Sequence, residues 1–161
     1  MKRYKITMIL VALFFCFCTA SWATAASDEE EIIQVQTDFM KAYIAKDFKA
    51  MASLYLHSSK TSTFNPGNQP LLSEGWEESL KKGWEDTMAS ETDEVTAYFH
   101  HPKVTMIKDD VAVITGYESV TYTNPTTKES TVNHNRVTRV VQKINGKWLI
   151  VHDHVDTFYI Q

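Results

Sequence analysis

Cysteine, glycine and proline are scarce in this 161-residue sequence, and each scarcity excludes a class of protein. The two cysteines are Cys16 and Cys18, so residues 19–161 offer no thiol for a disulfide or a metal site. With 5 glycines, 4 prolines and 43% hydrophobic residues, the chain is neither disordered nor collagen-like. Its length fits one domain built around a single core.

Positive charge is also in short supply. Sixteen lysines and arginines stand against 20 aspartates and glutamates, which gives a net charge of −4 with histidine neutral. Nucleic-acid binding depends on clustered basic residues that neutralise phosphates. We therefore expect no nucleic-acid partner.

The first 25 residues have the pattern of a secretory signal peptide. Three basic residues precede the apolar run Ile6–Cys18, and Ala23–Ala25 provides a small-x-small cleavage site. The alternative is an uncleaved membrane anchor, but the run is shorter than the roughly 20 residues that a spanning helix needs. We expect a periplasmic or secreted single domain, residues 26–161, without a stable membrane anchor. Its 13 basic and 20 acidic residues give a net charge of −7.

Periodicity predicts three helices in the first half of this domain. A capping box at Ser27–Glu30 starts an amphipathic helix that runs to about Ala45, and Asp47 can cap a shorter second helix. Apolar residues spaced by four predict a third helix from Ser73 to about Ala89. A short β-branched segment, Thr61–Phe64, precedes it.

Beyond residue 94 the apolar period changes from helical spacing to two, which predicts strands. The expected strands are Val95–Ile107, Val111–Thr123, Thr131–Lys143 and Trp148–Tyr159. Asn145-Gly146 is the strongest turn signal, because a type I′ turn needs positive φ at both positions. The order predicts an α+β fold in which three N-terminal helices cover one face of a curved antiparallel sheet. The opposite face is a candidate homodimer surface.

The register of the last hairpin predicts a pocket. If Asn145-Gly146 closes a two-residue turn, Arg139 lies opposite His152, and alternation places Asn135 and His154 on the same face. A buried arginine needs a partner, and guanidinium geometry matches a carboxylate. We therefore expect a small-molecule ligand that is anionic or bears a carboxylate.

The expected ligand-binding residues are Arg139, His152, His154, Asn135, Tyr117 and Trp76. The alternative is an internal partner for the arginine, either Asp156 or an acidic residue of the third helix. Glu118 and Arg136 are expected to form an exposed cross-strand pair of little functional weight.

A metal site is the weaker interpretation of the two strand histidines. His152 and His154 have the i, i+2 spacing of ligands on a strand, and His100 or His101 could supply a third. A neighbouring arginine repels a cation, so we expect no metal. The sequence has no G-x-S-x-G, no phosphate-binding glycine loop and no H-E-x-x-H, and we expect no cofactor.

The mature chain resembles the nuclear transport factor 2-like superfamily, in its SnoaL-like and ketosteroid-isomerase-homologue branch. The segments that carry the resemblance are Ala45–Phe48, Arg136–Val141, Asn145–Trp148 and Ile150–His154. The last three are similar to the ending of the calcium/calmodulin-dependent kinase II association domain. The resemblance implies a cone in which a curved sheet wraps three helices, usually as a homodimer, with the residue matching Arg139 in a pocket at the wide end.

The chain departs from the catalytic pattern of ketosteroid isomerases. Phe39 stands where those enzymes have a tyrosine, Asn65 stands where they have the general-base aspartate, and no acid occurs near Thr138 or Arg139. Proton abstraction beside a carbonyl needs a base and an oxyanion donor. The resemblance therefore does not extend to steroid isomerase activity.

Three functions remain open at the level of sequence. The first is an exported domain that binds a small molecule. The second is an enzyme of the isomerase, dehydratase or hydrolase kind, with His152 or His154 as general acid or base. The third is a homo-oligomeric association module.

Overall fold

The structure is a computed structural model that describes residues 26–64 and 72–158. The expected signal peptide lies outside the described residues, as do Asn65 and Tyr159.

The described residues form three α-helices, and the first two begin where the sequence predicts. They are α1, Asp28–Ala45, α2, Phe48–Ala52, and α3, Lys81–Ser90. Ser27 Oγ accepts from the backbone N–H of Glu30, whose carboxylate accepts from the N–H of Ser27, so the capping box is confirmed. Asp47 caps α2 by accepting from the N–H of Ala50 at 2.9 Å.

The third helix begins later than predicted. Residues Ser73–Glu74 form a short strand, and a π-helical turn, Trp76–Leu80, leads into α3. Gly75 separates strand from helix with a φ of 79°, a conformation that residues with a side chain rarely adopt. The spacing of four continues through the π-helical turn, which explains why periodicity alone placed the start too early.

Within the described ranges, six strands form one curved, unclosed sheet. They are β1, Ser62–Phe64, β2, Ser73–Glu74, β3, Glu94–Lys108, β4, Val111–Thr123, β5, Ser130–Ile144, and β6, Lys147–Phe158. Their order is β2-β1-β6-β5-β4-β3, and every neighbouring pair is antiparallel except β1 and β6. Asn145 and Gly146 both have positive φ, which confirms the predicted turn.

The core lies between α1 and one face of the sheet, which we call the inner face. Ile32 and Phe39 of α1 pack there with Ile114, Val141 and Trp148 of the strands. The predicted α+β class, with helices against one face of a curved sheet, is confirmed. In the described part of the chain, no helix is both long enough and apolar enough to cross a membrane.

The predicted register of the last hairpin is correct near the turn and wrong beyond it. Ile150 lies opposite Val141 as expected, but Val140 lies opposite His152, so Val151 is an extra residue in a β-bulge. Such a bulge shifts every later residue of its strand by one position. Consequently Asp153, and not His152, lies opposite Arg139.

Candidate functional site

A cavity of about 210 Å³ lies between the helices and the inner face of the sheet. The helical wall consists of Phe39, Met40 and Tyr43 from α1 with Trp84 and Thr87 from α3. The strands contribute Glu118, Val120, Tyr122, Asn135, Arg139, Asp153 and Val155. Aromatic and aliphatic walls therefore surround a small polar floor, which is the usual composition of a small-molecule site.

Arg139 lies on the cavity floor, where internal partners enclose its guanidinium. Its Nε forms an ion pair with Asp153 Oδ1 at 3.0 Å, without hydrogen-bond alignment, and its Nη2 donates to Asp153 Oδ2 at 3.4 Å. Its Nη1 donates to Glu118 Oε1 at 3.2 Å and to Gln36 Oε1. The ring of Phe39 covers the guanidinium, with Cζ 3.8 Å from the ring centroid. Both terminal nitrogens therefore have acceptors within the protein, and Nε is paired with Asp153 by charge alone.

Two buried carboxylates compensate the charge of Arg139. Burial by itself would lower the pKa of the guanidinium, but the charges of Asp153 and Glu118 outweigh burial and raise that pKa. The reasoning that the arginine needs an anionic ligand therefore fails, because its partners are internal. These partners also differ from the expected alternatives, Asp156 and an acidic residue of the third helix.

The predicted pairing of Glu118 with Arg136 is wrong. Glu118 is buried on the inner face, whereas Arg136 is exposed on the opposite face, which we call the outer face. There Arg136 donates to Asp156 of the neighbouring strand.

Two tyrosine hydroxyls meet on another side of the cavity. The hydroxyl of Tyr43 lies 2.8 Å from that of Tyr122, so one donates to the other and one proton remains available. Burial is the largest cause that raises the pKa of both tyrosines, and the negative charges of Glu91 and Glu118 contribute in the same direction. Both side chains therefore stay protonated and serve as neutral hydrogen-bonding groups.

The cavity brings together only two of the six expected ligand-binding residues, Arg139 and Asn135. Asn135 Oδ1 accepts from Thr157 Oγ1 at 2.9 Å, and its amide nitrogen has no hydrogen-bond partner among the described residues. Trp76 packs in the core with 1% of its surface exposed, stacked on Tyr55 with a centroid separation of 5.5 Å.

The other three expected residues lie on the outer face. The bulge turns His152 and His154 of β6 to that face, and strand alternation places Tyr117 of β4 there. His152 Nδ1 is 2.8 Å from Ser62 Oγ, and Phe64 makes edge contacts with His152 and His154. Tyr117 is opposite Arg136 and is 48% exposed. A general acid or base must lie within hydrogen-bond reach of the atom it serves. Neither histidine can therefore act on a molecule held in the cavity.

The described part of the chain also contains no set of side chains suited to bind a metal ion. No group of three or more His, Cys, Asp or Glu side chains comes together there.

Sequence reasoning missed the two acids of the floor, Glu118 and Asp153. For Glu118 a signal was present. It lies an even number of residues from Ile114 and Val120, both buried, so all three side chains share one face of the strand. This alternation predicts that the Glu118 carboxylate lies on the inner face, within reach of Arg139. No comparable signal existed for Asp153, since its direction depends on the bulge at Val151.

Known proteins with a similar fold were found in two comparisons. The family model described as a SnoaL-like domain matches residues 32–158. A candidate dehydratase of the NTF2-like family from Streptomyces avermitilis superposes with a TM-score of 0.72 at 18% identity, covering 81% of this chain and 96% of its own. An NTF2-like superfamily protein from Salmonella enterica gives 0.70 at 19% identity, covering 83% and 92%.

A calcium/calmodulin-dependent protein kinase II hub from S. rosetta gives a TM-score of 0.68 at 21% identity, covering 84% of this chain and all 100% of the hub. At these identities the likeness shows a shared fold. No curated protein matches the chain.

Proposed function

The chain belongs to the SnoaL-like domain family, and we propose that this member is an exported domain that holds one small organic molecule in the cavity above Arg139. The observation that carries the proposal is the cavity itself, which is lined by aromatic side chains and has a buried polar floor. Export rests on the signal-peptide pattern of the first 25 residues.

The volume of the cavity limits the size of the ligand. A dry protein cavity of about 150 Å³ holds a benzene molecule, and pockets for drug-sized ligands begin near about 300 Å³. At about 210 Å³, the cavity fits a single ring with a short substituent or an aliphatic molecule of similar size. A steroid nucleus exceeds this volume, in agreement with the missing isomerase residues.

Native mass spectrometry of protein recovered from an exported preparation tests the proposal. We expect a polypeptide that begins at Ala26 and a bound organic mass that is released on denaturation. Thr87→Phe should remove that mass, because Thr87 lines the cavity from α3 and a phenyl ring would fill the space. Thr37→Phe is the matched control, since Thr37 is exposed on α1. Retention of the mass by Thr87→Phe would contradict the proposal.

A second candidate function, homo-oligomeric association, is favoured by the outer face. Tyr98 of β3 and Tyr117 of the neighbouring strand β4 are 66% and 48% exposed there. Large exposed aromatic side chains in one region mark interaction surfaces. The likeness to a kinase hub supports a second copy of this chain as the partner. Both candidates can hold at once, because the cavity and this surface lie on opposite faces of the sheet.

A further inference from the structure

The charged side chains on the polar floor of the cavity are paired with one another. Arg139, the one cation among the lining residues, directs all three nitrogens at Asp153, Glu118 and Gln36. Its planar face is covered by Phe39. An anionic ligand would therefore compete with two internal carboxylates for a guanidinium that is 1% exposed.

Glu118 keeps one carboxylate oxygen available as an acceptor. Its Oε1 is shared by Arg139 at 3.2 Å and by Gln36 Nε2 at 3.3 Å, whereas its Oε2 has no hydrogen-bond partner among the described residues. The side chain is 5% exposed and lines the cavity. A carboxylate oxygen that lines a cavity without a protein donor can accept a hydrogen bond from a ligand, and the bond is stronger when the donor is charged.

The walls around this carboxylate also favour positive charge. Tyr43 and Tyr122 present hydroxyl oxygens that can accept from a ligand, and Trp84 is the aromatic side chain that α3 contributes. Indole and phenol rings attract ammonium groups through the negative faces of their π-systems. The ionised lining side chains, Glu118 and Asp153 against Arg139, carry one net negative charge.

From this arrangement we infer that the ligand is a small primary amine, bound as its ammonium ion by Glu118 with its apolar part against the aromatic wall. The inference rests on the proposed function. It assigns a positive charge to the ligand, whereas Arg139 alone indicates a negatively charged ligand. It specifies a ligand with a protonated amine one or two bonds from a single ring.

Three isosteric probes test the inference on the wild-type protein: benzylamine, benzyl alcohol and benzoate. They share one ring and differ in carrying a positive charge, no charge or a negative charge. By isothermal titration calorimetry at neutral pH and low salt, we expect benzylamine to bind at least about tenfold more tightly than benzyl alcohol, because a charged hydrogen bond exceeds a neutral one by that factor or more. Benzoate should bind more weakly than either.

Glu118→Gln tests the assigned residue, because it removes the charge while keeping an acceptor for Arg139 and Gln36. We expect the affinity for benzylamine to fall about tenfold and the affinity for benzyl alcohol to change less than about twofold. Glu94→Gln is the matched control, since Glu94 is exposed and, among the described residues, forms an ion pair with Lys128 alone. It should leave both affinities unchanged.

The outcomes separate this inference from the proposal on which it rests. If benzyl alcohol or benzoate binds, Thr87→Phe abolishes that binding and benzylamine has no advantage, the cavity binds small molecules and the ammonium inference is wrong. An advantage of benzylamine that Glu118→Gln leaves intact also overturns it. If none of the three binds, or if binding survives Thr87→Phe, the proposed function itself is wrong.

Discussion

Arg139 is the residue on which both the core and the cavity depend. Its guanidinium is buried between Asp153 and Glu118, and Gln36 and Phe39 complete its surroundings. Burial of three charges is costly, and mutual pairing offsets that cost only while every member is present. The network therefore links residues of β4, β5, β6 and α1.

Replacing Arg139 should destabilise the protein strongly. Arg139→Ala leaves two carboxylates buried without a cation, and the loss of one member of a buried ion network costs about 3–5 kcal/mol. Urea denaturation measures the loss as a fall in the free energy of unfolding. Arg136→Ala is the matched control on the same strand, because its exposed pair with Asp156 should contribute less than about 1 kcal/mol. Equal effects of the two substitutions would contradict the assignment.

At the scale of the element, helix α1 is attached to the β5–β6 hairpin through its first residue. Asp28 Oδ1 accepts from Lys143 Nζ and, at 3.1 Å, from Trp148 Nε1. Glu31 Oε2 lies 3.3 Å from the same lysine nitrogen. The start of α1 is thereby held against the turn end of the hairpin.

This attachment should make stability depend on pH in acid. The hydrogen bond from Lys143, followed by that from Trp148, lowers the pKa of Asp28 in the folded state. A carboxyl with a lowered folded-state pKa adds stability that is present above its unfolded-state pKa and is lost as pH falls through the folded-state pKa. Asp28→Asn should therefore lower the free energy of unfolding at neutral pH but not near about pH 2.

Urea titrations of Asp28→Asn and wild type at both pH values check this expectation. Asp38→Asn is the control on the same helix, because the hydrogen bonds of Asp38 within the described chain go to Gln34 and Lys41 of α1 itself. If the free energies of unfolding of Asp28→Asn and wild type still differ in acid, the effect of the substitution comes from altered packing and not from the lost charge.

Two glycines should respond in opposite directions to substitution by alanine. A Cβ at Gly116 would lie 2.3 Å from Phe99 Cζ and 2.9 Å from the carbonyl oxygen of His100 on the neighbouring strand. Such overpacking costs about 1–3 kcal/mol. A Cβ at Gly83 of α3 meets no atom within 4 Å, and alanine there should stabilise the helix by about 0.5–1 kcal/mol. Thermal melts of Gly116→Ala and Gly83→Ala should move the midpoint in opposite directions.

The sequence predicts those elements whose signals are local. The caps at Ser27 and Asp47 and the Asn145-Gly146 turn depend on neighbouring residues, and all three are confirmed. The bulge has no local signal, because Val140-Val141 and Ile150-Val151 offer apolar side chains to both faces. The bulge lies beside Ile150, a residue that pairs with a segment distant in sequence.

That distant contact joins β6 to the segment after α2. The N–H of Ile150 donates to Leu54 O at 2.8 Å, and Ile150 O accepts from the N–H of Leu56 at 2.9 Å. Hydrophobic alternation carries no information about such a pairing. The inward direction of Arg139 was therefore predictable, whereas the identity of its partner on β6 was not.

At the scale of the whole molecule, the sheet separates two surfaces of different character. The inner face carries the core and the cavity, and the outer face carries the exposed Tyr98 and Tyr117. Because side chains alternate, a substitution on the outer face leaves the lining of the cavity unchanged. Association and ligand binding can therefore be tested independently.

If the outer face joins two copies, charge placed there should separate them. We expect the double variant Tyr98→Lys with Tyr117→Lys to sediment as a monomer at concentrations where the wild type sediments as an oligomer. Ile44→Lys is the control, because Ile44 is 38% exposed on α1, away from this face. A monomeric wild type, or an oligomer that persists in the double variant, would contradict association through this surface.

The parallel pairing of β1 with β6 determines the order in which the sheet can be completed. Strands β3 to β6 follow one another through short turns, so each can add to its predecessor as a hairpin, whereas Ser62 and His152 are 90 residues apart. Contacts between distant residues form late, because closing a long loop costs entropy. Strand β6 lies between β1 and β5. Until β6, the last described strand, is in place, the pair β2-β1 therefore stays separate from β5-β4-β3. In pulse-labelled refolding, the amides of residues 62–64 should gain protection from hydrogen exchange after those of β4 and β5.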